Sequence, residues 1–90
     1  MDFIWDETKR QITLRERQLD VADCAQVFAG ATLRFCDERK EYGEQRFITV
    51  GFLRARMVVI VHIHRDRSTR IISMRYANAR EKEKYQSRLA

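Results

Sequence analysis

The stretch RIISMRYANAREKEKY, residues 70–85, places two arginines on a short β-branched run and then turns into a charged helix with no proline or glycine between them. Residues 69–77 alternate as a strand does, and Asn78 is a helix cap with Glu81 three positions on, an N-x-x-E variant of the capping box. A strand running straight into a capped helix predicts a sheet closed by a C-terminal helix. Arg70 and Arg75 fall at that junction. They read either as a solvated strand edge or as a seat for phosphate, because free backbone N–H groups at a helix start also attract anions. In a regular strand these two arginines point to opposite faces, so only a bulge or the strand's end brings both to one phosphate.

Before this stretch, residues 56–64 are apolar on both faces, as expected of a central strand. Residues 46–53 and 32–38 alternate, with a turn at Gly43 between them. The short connections imply antiparallel neighbours and a meander through the last three strands. Upstream, FIWD is a short strand, Asp6 a helix cap, and residues 7–17 helical by propensity. In a second helix capped by Asp20, Val21, Cys24, Ala25 and Phe28 share one face, and Gly30 is the expected left-handed stop. The order β-α-α-β-β-β-β-α predicts an α+β fold. Its antiparallel sheet has about four strands, with the two N-terminal helices on one face and a third helix at the C-terminus.

Ninety residues, 44% hydrophobic and 34% charged, with no repeat or linker, predict a single domain over 1–90. The longest apolar run, MVVIV, is strand-sized and far below the ~20 residues of a membrane span. The opening MDFIWDE lacks the chemistry of a signal peptide, so a cytoplasmic protein is expected, with Cys24 and Cys36 as small buried or half-buried hydrophobes rather than a bridge. The net charge of +5 is uneven. Residues 1–45 hold seven Lys/Arg against ten Asp/Glu, a net of −3, and residues 46–90 hold eleven against three, a net of +8. The second half therefore either meets a polyanion or neutralises the first half.

RNA cleavage without a metal needs a base for the 2′-hydroxyl proton, an acid for the 5′-oxygen and cations for the phosphorane. Arg75 and Arg70, with Arg65 assisting, suit the cationic role through their forked guanidiniums. His64 or His62, two apart and on one face of a strand, suits proton transfer, with Tyr85 as orienter or acid. Arg67, Arg80, Lys82 and Arg17 are further phosphate contacts. The plainer alternatives are solvated strand histidines and a solvated helix face of alternating Glu and Lys. The histidine pair lacks a third metal ligand nearby, and no metal or other cofactor is expected.

The blocks FIWDETK, DCAQVF, EYGEQRFITVG and RIISMRYANAREKEKY, taken in order, resemble the BrnT-type toxins of bacterial toxin–antitoxin pairs. That pattern runs F-x-W-D-x-x-K, a helix ending V-F, D-x-R-x-x-Y-G-E-x-R, and R-I-I-S-A-R followed by E-x-x-x-Y. The positions that carry it include Phe3, Trp5, Asp6, Lys9, Asp37, Arg39, Tyr42, Gly43, Glu44, Arg46, Arg70, Ser73, Arg75, Glu81 and Tyr85. The resemblance implies a RelE-like fold and an endoribonuclease that arrests translation. It also implies a cognate BrnA-type antitoxin with a ribbon-helix-helix DNA-binding domain, with operator DNA bound through the complex.

Departures from the pattern bear on activity. Where the family reads N-x-x-K-H-G after the first helix, this chain has Thr13, Glu16, Arg17 and Gln18. A histidine is thereby lost, and Arg17 supplies charge but takes no proton at neutral pH. His62 and His64 stand where the family often has Tyr and a polar or acidic residue. Two readings follow: an active ribonuclease, or a catalytically inactive relic that binds RNA or the antitoxin. In a third, the basic surface is only a docking site for an acidic antitoxin segment.

Overall fold

The computed structural model describes residues 2–89. Its elements are β1 (Asp2–Ile4), α1 (Glu7–Arg17), a 3-10 turn (Val21–Asp23), α2 (Cys24–Phe28), β2 (Leu33–Cys36), β3 (Phe47–Leu53), β4 (Arg56–Arg65), β5 (Ser68–Tyr76) and α3 (Ala79–Leu89). The fold is α+β, but the sheet is five-stranded and mixed, in the order β1-β5-β4-β3-β2. The expected all-antiparallel sheet of about four strands is corrected by β1, which joins the far edge parallel to β5, Phe3 opposite Thr69. Two-residue turns join β3 to β4 and β4 to β5, and a longer loop over residues 37–46 joins β2 to β3. All three pairs are antiparallel, and the long α1–α2 excursion permits the parallel pairing of β1.

Alternation along the strands divides the core in two. On one face Val58, Ile60, Ile71 and Met74 pack against Leu19, Val21, Cys24 and Val27. On the other, Val50, Met57 and Val59 pack against Ala77, Tyr85 and Leu89. The second face is therefore closed at one end by α3. β4 lies at the centre and is buried from Met57 to Ile63, which is why its sequence is apolar on both sides.

The N-terminal helices differ from expectation. α1 contains no buried residue, so it does not cover the sheet as a core helix would. It lies beside β5, bounding a groove of about 290 Å³ that Trp5, Ile12 and Ile72 help line. Asp20 ties it in place: its carboxylate accepts from Arg10 Nε and Nη2 at 2.7 and 3.0 Å and caps the following turn through Ala22 N. The predicted second helix begins as that 3-10 turn, and Val27 rather than Ala25 is buried beside Cys24. The left-handed stop expected for the second helix at Gly30 is corrected: Ala29 caps α2 in the right-handed region and the chain closes through a Gly30 N to Val27 O bond. It is α1 that ends left-handed, at Gln18, φ 50 and ψ 39. Cys24 is buried, as predicted, and burial pushes its thiol up to about 11; Cys36 is exposed, and both are free.

Candidate active site

β5 contains the irregularity that organises the site. Val61 pairs with Ser73 and His62 with Ile71, so Ile72 is an extra residue, a β-bulge. The bulge reverses the alternation. Arg70 opposite Ile63 and Arg75 opposite Val59 therefore project from the same face, the one that α3 closes. Their partners on β4 are four residues apart, so at ~3.3 Å per residue they stand about 13 Å apart, a spacing that suits two phosphates of one strand better than a single phosphate. Arg65, two residues beyond Ile63, shares this face and pairs with Glu44 at 3.3 Å.

Arg75 is held by α3. Its Nη1 and Nη2 donate to Glu81 Oε1 and Oε2 at 2.7 and 2.8 Å. Glu81 Oε1 also accepts from Asn78 N at 2.9 Å, while Asn78 Oδ1 accepts from Glu81 N at 2.8 Å. The capping box read from the sequence is thus formed, and its acid doubles as the anchor of Arg75. That fork raises the arginine's pKa and, applied in reverse, lowers the Glu81 carboxyl.

The β2–β3 loop brings a second arginine. Asp37 has a fully buried carboxylate that accepts from Arg39 Nε and Nη2, each at 2.7 Å, and this pairing holds its pKa at about 2 against the opposing effect of burial. Arg39 is largely exposed, and its charge acts on Arg75 to lower that group's pKa, so the two guanidiniums lie within one field. In the same loop the Arg46 guanidinium stacks on Tyr42 at 4.0 Å. Tyr85 is 9% exposed, stacked on Phe35 at 5.9 Å, and its ring also lies within the field of Arg75.

The two histidines share a face, as expected, but it is the opposite one, and the expected convergence with Arg75 is corrected accordingly. β4 alternates regularly, so His62 and His64 follow Val58 and Ile60 toward α2, while Val59 and Ile63 oppose the arginines. His62 is 0% exposed, wedged between Phe28 and Phe47, with Nε2 at 2.7 Å from Thr49 Oγ1. Burial first, then His64 and Arg34, push its pKa down to about 4. His64 is exposed, beside Thr69 Oγ1 at 3.2 Å and edge-on to Phe47, over which Arg34 stacks at 4.2 Å. Burial and Arg34 lower its pKa as well.

The remaining basic residues are dispersed. Arg17 lines the α1 groove with Ser73, Arg67 is exposed in the β4–β5 turn, and Arg80 is exposed on α3. Lys82 lies with Tyr76 and Arg56 near the β3–β4 hairpin. Arg39 and Glu81 are not among the site residues expected from the sequence, although they stand in the D-x-R-x-x-Y and R-I-I-S-x-R…E blocks. Their acid–arginine pairing was the available signal. Among the described residues no three His, Cys, Asp or Glu side chains group as metal ligands, and no helix is long and apolar enough to cross a membrane.

A search of curated proteins finds no match. Residues 5–81, well over half of the chain, match a family described as the ribonuclease toxin BrnT of type II toxin–antitoxin systems. The matched span includes the acid-paired arginines Arg39 and Arg75, and the chain belongs to this toxin family.

Proposed function

We propose that this chain is a metal-independent endoribonuclease that arrests translation by cleaving RNA across the face bearing Arg39, Arg70 and Arg75. The observation that carries the reading is a pair of guanidiniums close enough to act on one another electrostatically, each oriented by its own carboxylate: Arg75 by Glu81 and Arg39 by Asp37. Charge builds on the phosphorane oxygens as the 2′-oxygen attacks, and forked cations fixed in advance stabilise that charge without reorganising. Arg70 and Arg65 extend the cationic face toward flanking phosphates, with Arg67, Arg80, Lys82 and Arg17 as outlying contacts. Tyr85 orients Arg75 from beneath. His62 and His64 take no part in this scheme, because they occupy the other side of the sheet.

Neutralisation is assigned to a cognate BrnA-type antitoxin with a ribbon-helix-helix domain, through which operator DNA is bound. Its toxin-binding segment is expected to be acidic, matching the +8 of residues 46–90, where eleven Lys/Arg oppose three Asp/Glu. The site of action is the cytoplasm, where RNA and ribosomes are.

A second reading, an inactive module that only binds RNA or antitoxin, is favoured by the missing Lys-His-Gly turn and by the fact that both arginine forks are already filled by acids. RNA cleavage by the purified, antitoxin-free chain in EDTA, beside Arg75→Ala, separates the two. Cleavage that survives the chelator and fails in the variant supports the ribonuclease. RNA retention without cleavage by a folded wild type supports the module.

A further inference from the structure

With both histidines behind the sheet, the arginine face needs another group to accept the 2′-hydroxyl proton. The acid that fits is already in contact with Arg75. Glu81 is half-buried, its side chain 21% exposed, so it is reachable from solvent. Its two oxygens are used unequally. Oε1 accepts from both Arg75 Nη1 and Asn78 N, whereas Oε2 accepts from Arg75 Nη2 alone among the described residues. A carboxylate oxygen has room for two donors, so Oε2 keeps a free lone pair next to the guanidinium that would hold the phosphate.

Resting on the ribonuclease reading above, we propose that Glu81 is the general base of the cleavage, with Oε2 as the accepting atom. The Oε2 lone pair takes the 2′-hydroxyl proton, the 2′-oxygen forms a bond to phosphorus, and the bond from phosphorus to the 5′-oxygen breaks. The leaving 5′-oxygen is protonated by water, and Glu81 returns its proton to solvent, which leaves a cyclic phosphate and a free 5′-hydroxyl. Arg75 serves both partners in turn. In the resting site it keeps Glu81 ionised, and as negative charge grows on the phosphorane it shifts toward the phosphate, so the carboxylate gains proton affinity as the proton arrives.

A purely structural role for Glu81 as helix cap and tether makes a different prediction, and two substitutions distinguish them. Glu81→Gln keeps an acceptor for Asn78 N and for Arg75, since glutamine also serves at this position of a capping box, but it takes up no proton. Asn78→Ala weakens the same cap and leaves the carboxylate intact. The measurement is single-turnover RNA cleavage by the full-length, antitoxin-free chains, with RNA binding and thermal melting recorded on the same samples. The expected result is that Glu81→Gln melts near wild type and binds RNA at least as well, yet cleaves about a hundredfold or more slowly. Asn78→Ala, assayed below its melting transition, keeps its cleavage rate.

A cleaving wild type matched by Glu81→Gln overturns the base assignment and leaves the ribonuclease reading standing. Loss of cleavage in Asn78→Ala to the same degree as in Glu81→Gln also overturns it, because cap integrity then explains both. A folded wild type that cleaves no RNA overturns the ribonuclease reading and, with it, the assignment. If Glu81→Gln does not fold, Glu81→Asp decides: a folded protein that cleaves slowly supports a displaced base, and an unchanged rate overturns the proposal.

Discussion

Arg70 and Arg75 leave β5 on the same side although five positions separate them, because the unpaired Ile72 reverses the alternation between them. In the proposed function both would face a strand of RNA laid along this side of the sheet. Each alanine substitution is expected to lower RNA affinity and to reduce the slope of log affinity against log salt by ~0.7, the value for one single-strand phosphate. Arg75→Ala should in addition slow cleavage about a hundredfold or more, the scale for losing one preorganised donor to a transition state. Arg70→Ala should leave the rate at saturating RNA nearly unchanged. Salt titrations of binding beside single-turnover cleavage check both.

Gln18 ends α1 in the left-handed region, at φ 50 and ψ 39. A side chain there crowds the following carbonyl, and glycine does not. Gln18→Gly is expected to stabilise the protein by about 0.5–1 kcal/mol and raise the melting temperature by a few degrees. The backbone bond from Gln18 N to Leu14 O at 3.0 Å stays available to glycine. Calorimetry or melting by circular dichroism checks the sign.

Gly51 lies in β3 directly under α2. A Cβ built there would stand 2.7 Å from Val27 Cγ1 and 3.1 Å from Thr32 Cγ2. Val27 is itself 0% exposed and branched at Cβ, so it has little freedom to move aside. Gly51→Ala is expected to cost about 1–3 kcal/mol through overpacking. Urea unfolding should show a lower midpoint with an unchanged slope.

His62 sets an acid limit on stability. Its folded pKa of about 4 lies below the 6.5 of an exposed imidazole, so the unfolded chain binds the proton more readily. The contribution is fully present above pH 6.5 and falls away as pH drops toward 4. Each tenfold difference in proton affinity between the folded and unfolded chains is worth ~1.4 kcal/mol, so the loss across that window is on the order of 3 kcal/mol. His62→Gln should be less stable at neutral pH but show a flatter stability profile between these limits. Denaturant midpoints measured across the range check the slope.

Asp37 acts lower on the scale. Arg39 holds its carboxyl at about 2, against an ordinary value of 3.8, so its stabilising effect is lost only as pH falls through that interval. Asp37→Asn is expected to release Arg39 and to weaken RNA binding less than Arg39→Ala does, because the guanidinium survives with its orientation lost. Binding isotherms for the two variants at one salt concentration decide the order.

Elements with local causes were legible in the amino-acid order alone. The strands β2–β5, the capping by Asp6 of Lys9 N, and the Asn78–Glu81 box all appear in the folded chain, although the alternation expected over residues 69–77 is broken at Ile72. The family pattern was legible too, since its blocks follow in order along the chain. Which residues meet depended on long-range pairing and register. β1 at the sheet's far edge depends on a pairing more than sixty residues away in the chain, Phe3 with Thr69. One extra residue at Ile72 moved Arg70 to the side of Arg75, and strict alternation on β4 put His62 and His64 behind them. A sequence specifies alternation, but the face on which it begins is fixed by register, and register follows from which side of the sheet the α2 and α3 cores bury.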